Sequence, residues 1–155
     1  MTTKLTNNFT LEEMCFSSTA KQKGIDNVTK DPLIIAKLKL VCEHILQPVR
    51  NHYGKPVNVN SGYRGAKLNE AVGGAKTSQH CKGEAADFEI KGLSNYELAC
   101  WIRDNLDFDQ LILEYCDDLK NNPNSGWVHC SYKASGNRKQ CLTINKKGTK
   151  LGLHI

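Results

Sequence analysis

No two cysteines stand close enough in this chain to form a CxxC pair. The seven that are present, at positions 15, 42, 81, 100, 116, 130 and 141, are odd in number, which argues for reduced thiols over a disulfide framework. Long hydrophobic runs are also missing. The most apolar region, Pro32 to Val49, is interrupted by Lys37, Lys39 and Glu43, so no membrane span is expected. Met1 to Asn8 lacks the apolar core of a signal peptide. Synthesis in the cytoplasm is therefore expected, with release or export by another factor if the protein works outside. Internal repeats, low-complexity tracts and blocks of one charge are absent, and there are only four prolines. The net charge of +5 is compatible with an anionic partner, but Lys and Arg are spread along the chain with only short clusters at Arg138-Lys139 and Lys146-Lys147. Nucleic acid is not expected as a partner.

What remains is the composition of an ordinary soluble globular protein, 39% hydrophobic and 24% charged over 155 residues. A chain of this length buries roughly 70% of its unfolded surface as one compact unit. The expectation is one domain over residues 1–155 with its core in about 9–145, acting as a monomer.

Thr10 followed by Glu13 is a capping-box pattern and predicts a short helix through Met14 and Phe16. Asp31-Pro32 supplies an N-cap and an N1 proline. From there Ile34, Ile35, Leu38, Val41, Cys42, Ile45, Leu46 and Val49 recur at helical spacing until Gly54-Lys55-Pro56. Val57 to Asn60 alternates like a strand and delivers Ser61-Gly62-Tyr63-Arg64 into a loop. A short helix over Leu68 to Val72, a strand over Ala85 to Ile90 and a helix opened by Ser94 with Glu97 and ending near Asn105 follow. Gln110 to Tyr115, Trp127 to Tyr132 and Gln140 to Ile144 read as late strands pairing antiparallel, with a long loop over Asp117 to Gly126. The fold class is α+β, an antiparallel sheet backed by helices.

The chemistry concentrates in Ser78-Gln79-His80-Cys81-Lys82-Gly83-Glu84-Ala85-Ala86-Asp87 and, far downstream, Trp127-Val128-His129-Cys130-Ser131-Tyr132. Two imidazoles and one carboxylate make a three-ligand set that leaves zinc a fourth position for water. Strand alternation puts Asp87 opposite the apolar Ala86, Phe88 and Ile90, and puts His129 on the face opposite Val128 and Cys130. The rival is a closed site of His80, His129, Cys81 and Cys130. Strand geometry opposes it, because adjacent residues on a strand cannot both reach one metal and Cys130 points toward the core. His44, His52 and His154 are read as structural.

The pattern SxHxxGxAxD, filled by Ser78, His80, Gly83, Ala85 and Asp87, together with WVHCSY, resembles the zinc D-alanyl-D-alanine peptidases of the hedgehog-like superfamily. FTLEEM, SSTA, GIDN and SGYR are similar to segments of its small phage and prophage members, and the resemblance spans about residues 9 to 135. It implies one zinc per chain on His80, Asp87 and His129, with Arg64 reaching the substrate. It also implies peptidoglycan peptides as partners, cut by a D-alanyl-D-alanine carboxypeptidase or an L-alanyl-D-glutamate-type, endolysin-like endopeptidase. An arginine suits the task because its planar fork holds a carboxylate or polarises a carbonyl. Ser78 is read as a hydrogen-bonding group for the substrate or the site.

The chain departs from the vancomycin-resistance-type dipeptidases at Gly126, where they carry the glutamate three residues before the last histidine. Glu114 is the replacement expected as general base, on its strand-end position and the likeness of FDQLILEY to the corresponding region of hedgehog-like and phage members. Asp117, Asp118, Glu84 and Glu89 are its rivals. Two other classes stay open: a non-catalytic, hedgehog-like zinc module that binds a partner, and a virion wall-binding component.

Overall fold

In the computed structural model, which describes residues 2–118, 121–122 and 125–154, the longest helical stretch is built where the apolar periodicity is strongest. It comprises α3 (Pro32–Val41), a π-helical turn over Cys42–Leu46 and α4 (Gln47–Tyr53). Asp31 caps its start by accepting from the Leu33 N–H. A cap of this kind contributes about 1 kcal/mol, whereas each large aliphatic side chain fully withdrawn from water contributes roughly 1.5–3. Leu38, Val41, Ile45, Leu46 and Val49 are all fully buried, so packing holds this helix and capping only sets its edge.

The π turn interrupts what the sequence reads as one continuous helix, and Pro48 explains it. Proline has no N–H and its ring collides with the carbonyl four residues back, here that of His44. The turn widens instead, and the Gln47 N–H reaches the Cys42 carbonyl five residues away. Two short helices precede this segment, α1 (Leu11–Cys15) and α2 (Ser18–Lys23), and the capping box at Thr10 and Glu13 forms as expected. A small hairpin of β1 (Lys4–Thr6) and β2 (Phe9–Thr10) leads into α1.

The remaining strands form one six-stranded sheet, β3 (Asn58–Ser61), β4 (Ala85–Glu89), β5 (Gln110–Glu114), β6 (Trp127–Ser131), β7 (Gln140–Asn145) and β8 (Gly148–Leu151). Its spatial order is β3-β4-β6-β5-β7-β8. All neighbours are antiparallel except β5 and β7, which are parallel, so the sheet is mixed and not wholly antiparallel as the sequence suggests. The cause is an occupied edge. β4 already pairs with β6, so the chain leaving β6 joins the free edge of β5, running against β6 and hence along β5.

Between β3 and β4 lie α5 (Ala66–Ala71) and a 3-10 turn (Gln79–Lys82), and α6 (Asn95–Asn105) follows β4. Ser94 occupies the N-cap position of α6 but makes no side-chain capping bond, contrary to the expected capping box. Asn95 secures this end instead, its side-chain N–H groups reaching the Ser125 and Gly126 carbonyls. Residues 119–120 and 123–124 of the expected long loop lie outside the described residues.

The register sorts side chains onto two faces. Ala86, Cys130 and Leu111 align across β4, β6 and β5, as do Phe88, Val128 and Leu113, and all six are fully buried in the core. The opposite face carries Asp87, His129 and Ile112 in one row and Trp127 and Glu114 in the next. The class is α+β, as expected, and no helix among the described residues is long and apolar enough to cross a membrane.

Candidate metal centre

Asp87 and His129 are direct cross-strand partners on the open face, while His80 arrives from the 3-10 turn just before β4. Ser78 starts that turn by accepting from the His80 N–H, and Gly83 ends it in the left-handed conformation, φ 74°. A Cβ at Gly83 would also stand 3.0 Å from the Ile34 carbonyl, so glycine is favoured on two counts. The turn brings the His80 ring to 5.2 Å from that of His129, centroid to centroid. One ligand-capable atom from each of His80, Asp87 and His129 lies within 4.8 Å of the others, the one such group among the described residues.

The hydrogen bonds around these rings say which atoms face inward. His80 Nδ1 lies 2.7 Å from the Gly62 carbonyl, which only accepts, so Nδ1 carries the hydrogen and Nε2 faces Asp87 Oδ2 at 3.3 Å. His129 Nε2 lies 2.9 Å from Gln79 Oε1, and its Nδ1 faces Asp87 Oδ1 at 2.9 Å. With both outer nitrogens donating, the neutral rings would point bare lone pairs at a carboxylate. Acceptors this close repel unless a cation or an added proton lies between them. Two imidazole nitrogens and a carboxylate are the donor set of tetrahedral zinc with one position left open, and the residues present fit that ion. Asp87 is half-buried, and loss of water alone would raise its carboxyl. Where the added proton makes each ring a cation, the hydrogen bonds that His129 and His80 then donate, with their charge, outweigh the burial and hold it well below the usual carboxylate range.

A cavity of about 480 Å³ opens onto this group and is lined also by Arg64, Ser78, Gln79, Glu114 and Trp127. The structure thus brings together every candidate site residue of the sequence, Arg64, Ser78, His80, Asp87, Glu114 and His129, in one cleft. Arg64 sits in the loop after β3, its Nη2 donating to Ser78 Oγ at 2.9 Å. Buried Asn27 pins that loop by donating to the Cys15 and Tyr63 carbonyls and accepting from the Gly65 N–H. Glu114 Oε2 accepts from Trp127 Nε1 at 2.8 Å. Burial raises the Glu114 carboxyl above its ordinary value, and the Asp87 charge adds to the rise against His129, the Trp127 hydrogen bond and His80. The rivals Glu84, Glu89, Asp117 and Asp118 do not line the cleft.

Gly126 has a physical reason to depart from glutamate. It adopts φ 69°, and a Cβ there would stand 2.1 Å from the Glu114 carbonyl oxygen, so no side chain fits. The cysteines beside the histidines take no part. Cys130 is fully buried in the core, where burial lifts its thiol well above the ordinary value, and Cys81 lines a different cavity with Tyr63 and Lys76. His44 stacks on Tyr132, His52 stacks on Trp101 and His154 contacts the Leu151 carbonyl, so all three lie in structural contacts.

Sequence reasoning missed Gln79 and Trp127 as partners of the site. Gln79 stands inside the motif at a position the pattern leaves open, and only its contact with His129 reveals it.

The family model described as Peptidase M15 matches residues 7–131, most of the chain and all of the cleft residues just described. The chain belongs to the peptidase M15 family. This is a zinc-dependent metallopeptidase family, in the superfamily that unites zinc D-alanyl-D-alanine peptidases with hedgehog proteins. Among curated proteins, none matches this peptidase M15 chain.

Proposed function

We propose that this protein is a zinc metallopeptidase that hydrolyses peptide bonds in the stem peptides of bacterial peptidoglycan. The observation that carries the reading is the convergence of three acceptor atoms, from His80, Asp87 and His129, in a cleft that also holds a half-buried carboxylate and an arginine fork. Zinc held by these three residues would lower the pKa of a water molecule and polarise the scissile carbonyl.

The side chains divide the remaining work. Glu114, half-buried and raised in pKa, takes a proton in the cleft and returns it to the leaving amine, a role that favours a carboxylate closer to neutrality than an exposed one. The Trp127 N–H holds one carboxylate oxygen and leaves the other for the proton. Arg64, steadied by Ser78, directs its guanidinium at a substrate carboxylate or carbonyl. The substrate class follows from the likeness of the motifs to D-alanyl-D-alanine peptidases. Both carboxypeptidase and endopeptidase action are compatible with an open cleft.

The test is digestion of purified peptidoglycan by the zinc-loaded protein, with mass analysis of the products. Release of peptides with a defined new end is expected, and it identifies the cleaved bond. Intact wall in the presence of one zinc per chain would leave a zinc-holding binding module as the better reading.

A further inference from the structure

The two histidines of the cleft are oriented by different means, and the device that holds His129 reaches outside the region matched by the family. Gln79 Oε1 lies 2.9 Å from His129 Nε2, while Gln79 Nε2 lies 3.1 Å from Asp109 Oδ2. Asp109 is fully buried, and its carboxylate is gripped by Arg138 through Nε at 3.0 Å and Nη2 at 2.9 Å. The Arg138 backbone N–H also donates to it, and Lys133 Nζ stands 3.8 Å away. Lys133 and Arg138 both follow residue 131, where the family match ends.

The direction of this chain of bonds is forced. A carboxylate held ionised between two cations can only accept, so the end of the Gln79 amide that faces Asp109 must be the NH₂ group. The amide oxygen is thereby turned toward His129. An amide oxygen also only accepts, so His129 Nε2 must carry its hydrogen, and Nδ1 is left as the bare nitrogen facing Asp87. Were the amide reversed, its NH₂ group would meet His129 Nε2 and favour the other tautomer, closing Nδ1 to a metal.

We propose that Gln79 is a positioning residue that, anchored by the Asp109–Arg138 pair, fixes the tautomer and ring orientation of His129 and thereby sets how tightly the cleft holds zinc. The proposal rests on the zinc reading above. Removing such an outer partner of a metal-binding histidine costs roughly 10- to 100-fold in metal affinity.

The experiment uses the full chain and two readouts. Zinc affinity is measured by competition with a chromophoric chelator for the wild type, Gln79→Leu, Asp109→Asn and the double variant Gln79→Glu/Asp109→Asn, with thermal melts alongside. Long-range ¹H–¹⁵N spectra report which ring nitrogen of His129 carries the hydrogen, in the metal-free and zinc-loaded wild type. Gln79→Leu is expected to fold and to bind zinc roughly 10- to 100-fold more weakly. The double variant exchanges acid and amide. Its introduced carboxylate would accept from both His129 and the new asparagine amide, so affinity should return to within about 3-fold of wild type on the same tautomer logic. A role in packing alone would give no such rescue.

Folded Gln79→Leu with wild-type affinity would overturn the proposal, as would a His129 ring that carries no hydrogen on Nε2 in the wild type. The wild-type spectrum decides the tautomer even if Gln79→Leu does not fold. Failure of the wild type to bind zinc at all would instead remove the metal reading, and the two failures are distinguishable because the spectrum needs no metal.

Discussion

The loop that presents His80 and the strand that presents His129 reach the same cleft by unlike routes. His80 is held by main chain: its Nδ1 donates to the Gly62 carbonyl, and its own carbonyl accepts from the Arg64 and Gly83 N–H groups. His129 is held by side chains, through Gln79 to Asp109 and Arg138. A backbone carbonyl is present whatever residue supplies it, so the His80 half is robust to most substitutions. The His129 half can be dismantled one side chain at a time. Both halves meet at Asp87, whose two oxygens face one ring each.

Removing either ring should erase the distinction, and this is the largest effect expected. His80→Ala and His129→Ala should each abolish stoichiometric zinc and peptide cleavage, because two ligands do not make the three-residue site. Cys81→Ser and Cys130→Ser should keep the zinc, as measured by elemental analysis of the purified variants. Zinc lost from the cysteine variants would bring back a site closed by thiolates.

Glu114→Gln removes the proposed proton acceptor and leaves His80, Asp87 and His129 in place. The expected loss is on the order of 10²- to 10⁴-fold in cleavage rate with zinc content unchanged, both read on one preparation. Arg64→Ala should also keep its zinc and lose most turnover. Arg64→Lys should restore little, since an ammonium lacks the planar fork, and near-normal cleavage by the lysine variant would reduce Arg64 to a simple charge.

The main-chain half can be broken only through the backbone itself, and Gly62 is the place to do it. A Cβ there would stand 2.3 Å from the Met14 carbonyl oxygen, so Gly62→Ala must displace either α1 or the carbonyl that orients His80. Overpacking of this kind costs about 1–3 kcal/mol, readable as a lowered denaturation midpoint. Zinc affinity should fall with it. A stable Gly62→Ala variant with unaltered zinc affinity would show that His80 does not depend on this carbonyl.

The same contrast explains what can be read in advance. His80, Gly83 and Asp87 are close in sequence, and a turn of known chirality followed by an alternating strand fixes their relation almost locally. His129 is legible through strand alternation, because residues of one strand face share a period of two, and Glu114 through its strand-end position and the likeness of its segment to family members. Gln79 is not legible, since its role depends on Asp109 and Arg138, which reach it only after the sheet has formed. The parallel pairing of β7 is hidden for a related reason: strand pattern carries no record of which edge is already occupied. The π turn at Cys42–Leu46 does have a sequence signal, Pro48, that the apolar periodicity overrides.

The smallest expected effect concerns Trp127, whose indole donates to Glu114, the proposed base. Its N–H donates to Glu114 Oε2 and stabilises the ionised carboxylate, so it opposes the rise that burial and the Asp87 charge impose on that group. Trp127→Phe keeps an aromatic ring on the strand and removes only the donor. The Glu114 carboxyl should then sit higher still, because one of the interactions favouring its charged form is gone. For a base that must be ionised to act, the acid limb of the pH–rate profile tracks this value, so the limb should move toward higher pH in the variant. The plateau rate should change little. Glu114 has a raised pKa in the folded chain, so its ionisation also costs stability above its unfolded value, and that cost should grow in Trp127→Phe as pH rises through the limb. An acid limb that stays in place while the plateau falls would mean that Trp127 serves the substrate instead of the base, and would detach the pH profile from Glu114.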